Sequence, residues 1–287
     1  MDNYDKELEQ KVPDFEGADD SKISETSSLN IAAAASTTQI KGWKQTVGII
    51  AVAIFVIGLW ELLVRVLNVP EFILPPPSKI VVALVTSFPN IYQHLLFTLG
   101  ELVSGYLIGA SIGLLMAAVL TQIPFIEKII TPYILILVTT PTIALVPLLM
   151  LYWGFGIGPR IFAVALATGP MVMINATTGF RRTDLAKIAL AKSYGASTFQ
   201  IFYKIRFPLA MPMINVGLLV GGIFGLITAV GADMVGGKIG LGNRLSYYAS
   251  LARMSNFFAV ILLVSIIGIL IWVIMTIVGN KTTNWSE

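Results

Sequence analysis

The chain of 287 residues contains no cysteine, so disulfides, thiolate metal ligands and thiol nucleophiles are all excluded. Its single histidine, His94, cannot build a multi-histidine metal site and is expected in a polar or interfacial loop. Charge is scarce too. Only 12% of residues are Asp, Glu, Lys or Arg against 56% hydrophobic, and mean hydropathy is +0.82, which leaves too little polar surface to cover a soluble globule. No GxxxxGK[ST] stretch occurs, so the chain encodes no phosphate-cradling loop of that kind. No serine or aspartate has a histidine or cysteine partner inside an apolar span, and paired carboxylates are not expected in the hydrocarbon region. These absences argue against an intramembrane hydrolase and a proton-coupled carrier.

Long uncharged sequence is abundant instead. Residues 102–126, 129–159, 161–180, 207–232 and 254–280 carry no charge, and each stretch is long enough for a helix across the roughly 30 Å hydrocarbon core. A sixth candidate begins after Lys44 and runs to Leu67, interrupted late by Glu61 and Arg65. Nothing alternates with the two-residue period of a membrane barrel, so helices are the expected spanning structure. The expected fold class is an all-α integral membrane protein of about six transmembrane helices. Residues 1–44, rich in Asp, Glu, Ser, Thr and Ala, read as a disordered cytoplasmic tail. Residues 45–280 read as the membrane domain, and 281–287 as a short cytoplasmic tail.

Charge distribution orients the spans. Lys41 and Lys44 precede the first apolar run and favour a cytoplasmic N-terminus. With six spans the C-terminus is then also cytoplasmic, and inside segments hold thirteen of the nineteen Lys and Arg residues while outside segments hold six. Glu101 and Asp233 fall near predicted span ends and are given structural roles. In the first outside loop, 68–98, the run Leu74-Pro75-Pro76-Pro77-Ser78 favours extended backbone, with Ser78 as N-cap of a short helix to Ser87. The glycines of loop 233–253 suggest a flexible turn before a surface helix spanning Leu245 to Met254.

Two spans carry glycine at four-residue spacing: Gly105, Gly109 and Gly113 in one, Gly217, Gly221 and Gly225 in another. In lipid, helices associate where small residues let backbones approach, so these rows are expected to be packing seams. The third span contains TTPTIALVPLLMLYWGFGIG from Thr139. Pro141 and Pro147 are expected to break its hydrogen-bond ladder beside the hydroxyls of Thr139, Thr140 and Thr142, and such irregular backbone can line a polar translocation path.

Between Arg181 and Arg206 lies an island with six basic residues and one acid, Asp184, flanked by uncharged spans. Thr183 and Asp184 can cap a helix that Gly195 ends. Ser197 and Gln200 then stand at capping-box spacing for a second helix, which Pro208 is expected to stop. Phe199, Ile201, Phe202 and Ile205 supply apolar knobs that could fill a groove on a partner. A basic amphipathic hairpin lying on anionic lipid is the alternative reading of the same residues.

The island resembles the cytoplasmic signature of ABC importer permeases: EAA, three residues, Gly, nine residues, Ile, one residue, Leu-Pro. Gly195, Ile205 and Pro208 match, with Ala191 at the second alanine, while Ala189, Leu190 and Phe207 replace Glu, Ala and Leu. LPPPSKI at 74–80, TPTIALVPLLMLYWGFGIG at 140–158 and GADMVGGKIGLG at 231–242 are similar to stretches of the nitrate, sulfonate, taurine and bicarbonate branch. This resemblance covers residues 45–280. It implies a type I importer fold in a bacterial inner membrane, with two permease copies side by side as a homodimer in lipid, and no nucleic acid. An extracytoplasmic binding protein would deliver a small solute, such as a small anion or a vitamin precursor. ATP and Mg would sit on separate ABC ATPase subunits, leaving this chain without a cofactor, catalytic residue or metal. The ATPase would be met through 181–208, with Lys187, Ala189, Leu190, Ala191, Gly195, Ala196, Ser197, Phe199, Phe202, Ile205 and Pro208 at the contact. The alternatives are an ion-coupled secondary carrier and a non-transporting membrane scaffold.

Overall fold

The structure, a computed structural model, describes residues 43–183 and 185–283; the acidic tail and Asp184 lie outside the described residues. The chain divides into two compact units, one ending at Leu62 and one beginning at Leu63. The first contains most of helix α1 (Trp43–Val66), whose residues 47–60 are all apolar. In the second unit follow α2 (Pro77–Leu120), α3 (Pro124–Thr139), α4 (Thr142–Trp153), α5 (Ile157–Arg181), α6 (Leu185–Ser193) and the short α7 (Thr198–Ile201). A π-helical turn (Phe202–Arg206) leads into α8 (Phe207–Gly236), then α9 (Leu241–Ser250) and α10 (Met254–Thr283). Among the described residues five stretches are long and apolar enough to cross a membrane: Thr46–Val66, Pro77–Leu120, Ile157–Arg181, Thr198–Gly236 and Met254–Thr282. The pair Phe125–Thr139 and Thr142–Trp153, bent by 92°, makes up to a sixth.

Within the second unit α5 is the central element, packed along its length against α2 and against α8. Both glycine rows sit on it. A Cβ at Gly105 would meet Ile161 O at 2.7 Å, one at Gly109 would meet Ala165 O at 2.5 Å, and one at Gly113 would overlap the Gly169 carbonyl. From the other side, a Cβ at Gly217 would fall 2.8 Å from Asn175 Cβ and one at Gly221 within 3.1 Å of Thr168 Cγ2. Backbones at this separation accumulate dispersion contacts that larger residues would hold apart. Thr168 Oγ1 donates to Gly221 O at 3.1 Å, adding a polar tie across the second seam. Val164, Leu102, Leu226 and Val260 join one apolar core, and Met173, Phe180, Ala210 and Ile214 another.

Three sequence expectations fail locally. The loop expected over 68–98 ends at Pro76: Pro77 occupies the first helical position, where a missing N–H costs nothing, and α2 runs unbroken through Pro89 for 44 residues. Ser78 is therefore inside the helix rather than its cap, and the polar residues from Lys79 to His94 lie on a helix whose Ile80, Ala83 and Ile91 are buried. In the third span only Pro141 breaks the helix. Thr140 before it is extended, as steric clash with a following proline requires, whereas Pro147 stays inside α4. Nor does Pro208 stop a helix: it opens α8 directly after the π-helical turn, so the chain is helical from Thr198 to Gly236. The wider turn there accommodates the ring and the missing donor.

Outside the spans, the Glu71 carboxylate is held by Lys79 and accepts from Ser255 Oγ at 2.6 Å. These hydrogen bonds keep its pKa below the usual carboxylate range.

The glycine seams yield a contrast within one helix. Gly109→Leu is expected to destabilise the purified protein by about 1–3 kcal/mol or more through overpacking, whereas Gly100→Ala, with nothing within 4 Å of its Cβ, should be neutral or slightly stabilising. Thermal unfolding in detergent distinguishes the two, and equal melting points would contradict the seam.

Candidate functional site

The island folds as a bracket joining the end of α5 to the start of α8. Its first helix, α6, closes in a Schellman motif: Ala196 N donates to Ala191 O at 3.0 Å and Gly195 N to Lys192 O at 2.9 Å. Gly195 takes φ of +76°, a conformation that glycine adopts without Cβ strain. The next helix begins in a reciprocal capping box, with Gln200 N donating to Ser197 Oγ at 3.3 Å and Ser197 N to Gln200 Oε1 at 2.8 Å. The Thr183 hydroxyl donates back to Phe180 O at 3.1 Å, and the cap expected at Asp184 lies outside the described residues. The first turn of the bracket is thus fixed by backbone hydrogen bonds and the second by side chains that accept from backbone N–H groups.

The apolar residues of the bracket divide between two faces. Ile188 and Ile201 are buried, and Phe202 packs on Phe180 with ring centroids 5.1 Å apart, so Ile201 and Phe202 anchor the bracket instead of projecting as knobs. Ala191, Ala196, Ile205 and Pro208 are half-buried, and Lys187, Ala189 and Ser197 are exposed. Facing outwards are Leu190 (60% exposed), Tyr194 (84%), Phe199 (76%) and Tyr203 (65%). The Phe199 and Tyr203 rings stack at 6.4 Å with an interplanar angle of 4°. Tyr194 and Tyr203 were not among the sequence candidates; they interrupt the basic run at helical spacing from Leu190 and Phe199.

At the other end of α5 and α8 is a cluster that hydropathy concealed. Arg160 in the first turn of α5 reaches Glu101 of α2, Nη1 to Oε1 3.0 Å, and Asp233 of α8, Nη1 to Oδ1 3.2 Å. Both carboxylates are 0% exposed. Arg160 also donates to Ile239 O and Gly236 O at 3.2 Å each and lies 5.4 Å from the Phe97 ring centroid. Thr98 Oγ1 donates to Asp233 Oδ2 at 2.6 Å and accepts from Leu241 N at 2.8 Å. Glu101 and Asp233, expected near span ends in structural roles and not as a pair, therefore share one guanidinium inside the bundle. Glu101 Oε2 and Arg160 Nε have no hydrogen-bond partner among the described residues.

His94 belongs to the same cluster and not to a loop. Its Nε2 accepts from Arg244 Nε at 2.8 Å, and its Nδ1 lies 3.0 Å from Gly240 N and 3.2 Å from Gly240 O. Gly240, at φ +128°, turns so close to Asp233 that a Cβ would overlap the carboxylate. The segment expected to be a flexible turn is consequently stitched to α2 and α5, and α9 behind it buries Leu241, Leu245 and Tyr248.

Of the residues proposed for a path, Thr140, Pro141 and Thr142 line a cavity of about 170 Å³ together with Pro170 and Thr228. Thr139 and Thr140 both donate back to Ile136 O, at 3.0 and 2.8 Å, and Pro147 is exposed on α4 away from that cavity. A larger cavity of about 490 Å³ lies towards the bracket, between α3 and α5, where Thr131 and Thr178 meet the Arg181–Glu127 ion pair.

Residues 109–284 match the family of binding-protein-dependent transport system inner membrane components. The chain belongs to this family. It is thus a membrane-embedded permease of an ABC importer, a transporter and not an enzyme, which sets aside the ion-coupled carrier and scaffold readings. This permease is 28% identical over 214 residues to a probable ABC transporter permease protein of Haemophilus influenzae, covering 75% of this chain and 87% of that one. It is 26% identical to the formylaminopyrimidine transport permease protein ThiX of Halalkalibacterium halodurans (80% and 92% covered). With the taurine transport system permease protein TauC of Escherichia coli the identity is 25% (84% and 90% covered). In fold the permease is similar to the inward-facing MetNI methionine ABC transporter, with TM-score 0.57, 18% identity, and 67% of this chain and 94% of that chain covered.

The capping box supplies a local test. Ser197→Ala should cost the start of the second bracket helix about 1 kcal/mol, read as faster amide hydrogen exchange at Phe199 to Ile201 with no change in α5. Unchanged exchange there would show that the cap is not needed.

Proposed function

We propose that the 181–208 bracket is the part of this permease gripped by a cytoplasmic ABC ATPase. The observation that carries this reading is the exposure of Leu190, Tyr194, Phe199 and Tyr203 on a bracket whose turns are locked and whose opposite face is anchored in the bundle. Rigid, exposed aromatic and aliphatic side chains are what interface hot spots are made of, because they bury much area with little ordering cost. Lys187, Lys192 and Lys204 around them suit an acidic rim on the partner, in the absence of the signature glutamate at Ala189. ATP and Mg belong to that partner, and this chain binds no cofactor.

In this reading the bracket, the N-terminus and the C-terminus are cytoplasmic, in keeping with the bias of Lys and Arg. A second copy of the permease completes the pathway as a homodimer. The bend at Thr140–Pro141 and its adjoining cavity lie on that pathway, and an extracytoplasmic binding protein delivers the cargo. Relatives named for taurine and formylaminopyrimidine support a small polar solute as cargo.

The test is assembly and coupling. The wild-type permease should co-purify with an ATPase encoded beside it. Gly195→Trp, forced into a left-handed conformation at a cost of about 1–3 kcal/mol, should remain in the membrane yet lose at least tenfold in ATPase co-purification and ATP-dependent uptake. Retention of both would refute the docking assignment.

A further inference from the structure

We propose that Arg160, with Glu101 and Asp233, is a positioning residue of the transport cycle. It bolts α5 to α8 at the ends remote from the bracket, so that the two helices, the bracket and the Gly236–Gly242 loop move as one lever. The inference rests on the bracket being the driven end, as proposed above. Helix α5 carries Arg160 in its first turn and Arg181 in its last; α8 leaves the bracket and carries Asp233 in its last turn. The two helices are therefore joined covalently through the bracket at one end and by the ion cluster at the other. Between these points they touch throughout: a Cβ at Gly179 would meet Ala210 O at 3.0 Å, and Thr168 donates to Gly221 O.

A seam of glycine, alanine and valine is smooth. One small residue resembles the next, so such a surface sets separation more firmly than axial register, to which Thr168 adds a hydrogen bond on Gly221 O. The Arg160 cluster has the opposite property. A slip of one residue moves a helix about 1.5 Å along its axis, enough to break contacts of 3.0–3.2 Å and leave ions buried without partners. The guanidinium also holds Gly236 O at the end of α8 and Ile239 O in the loop, and Thr98 fixes Leu241 N at the start of α9. Displacement of the bracket is thereby handed to the loop without being absorbed in sliding. Glu101 extends the bolt to α2, which also packs along α5.

The absence of cysteine permits a direct measurement. Arg182, where α5 enters the bracket, and Lys238 in the loop are both exposed. Nitroxides placed at Arg182→Cys and Lys238→Cys, in complex with the co-purified ATPase and diluted with unlabelled permease, report the length of the lever by pulsed electron–electron double resonance. With the cluster intact the distance distribution should be single, narrow and the same without nucleotide and with ADP-vanadate. Arg160→Gln should at least double its width. Should that variant fail to assemble, the triple variant Glu101→Gln, Arg160→Met, Asp233→Asn removes the charges together, leaves no buried ion and should show the same broadening. A narrow, unchanged distribution in an assembled variant, or a wild-type distance that differs between the two states, would overturn the lever. Failure of the ATPase to co-purify with wild-type permease would instead count against the docking assignment, so the two ideas fail separately.

Discussion

Close approach of backbones at α5 is the constraint on which the second unit depends. Its neighbours, α2 and α8, each present a row of glycines to it, and at most of these positions even a methyl group would collide with a carbonyl or a side chain. In water such a core would be driven by burial of apolar side chains. In a bilayer that driving force largely vanishes between helices, and what remains is the density of contact that small residues allow. The bundle is therefore organised around one helix that is approached from two sides.

Smooth seams leave a degree of freedom that polar groups then remove. The Arg160 cluster ties three helices and a loop through directional bonds at one end of the bundle. Phe180, Phe202 and Phe207 tie the bracket to the bundle at the other, with ring centroids 5.1 to 6.4 Å apart. Buried ions are a poor source of net stability, since desolvation offsets most of their attraction, but their loss of energy on misalignment is steep. Geometry, more than stability, is what such a cluster contributes. The same distinction applies to the bracket, where a Schellman turn and a capping box define the angle at which exposed aromatics are presented.

Much of this was legible in the chain. The apolar stretches, the glycine rows and the capping signals at Gly195 and Ser197 are local patterns, and local rules interpret them. The resemblance at Gly195, Ile205 and Pro208 was likewise a matter of spacing. Errors arose where a residue's meaning depends on remote neighbours. Polar residues from Asn90 to His94, beyond the short helix expected to end at Ser87, looked like loop because hydropathy cannot see that one face of α2 is covered. Pro147 and Pro208 looked like breaks, yet packing and a π-helical turn absorb them, whereas the chain bends by 92° at Thr140–Pro141.

By itself the sequence determined that this protein lives in a membrane as helices, because scarce charge and long uncharged runs leave no other way to satisfy its backbone. It also marked the bracket, because caps and glycine stops act within a few residues. Only tertiary structure decided that Glu101, Arg160 and Asp233, separated by 59 and 73 positions, form one buried cluster. It also decided which bracket side chains face the bundle and which face outwards. Ion pairing and burial depend on distances through space, and a linear pattern of residue types does not encode those until the helices are packed.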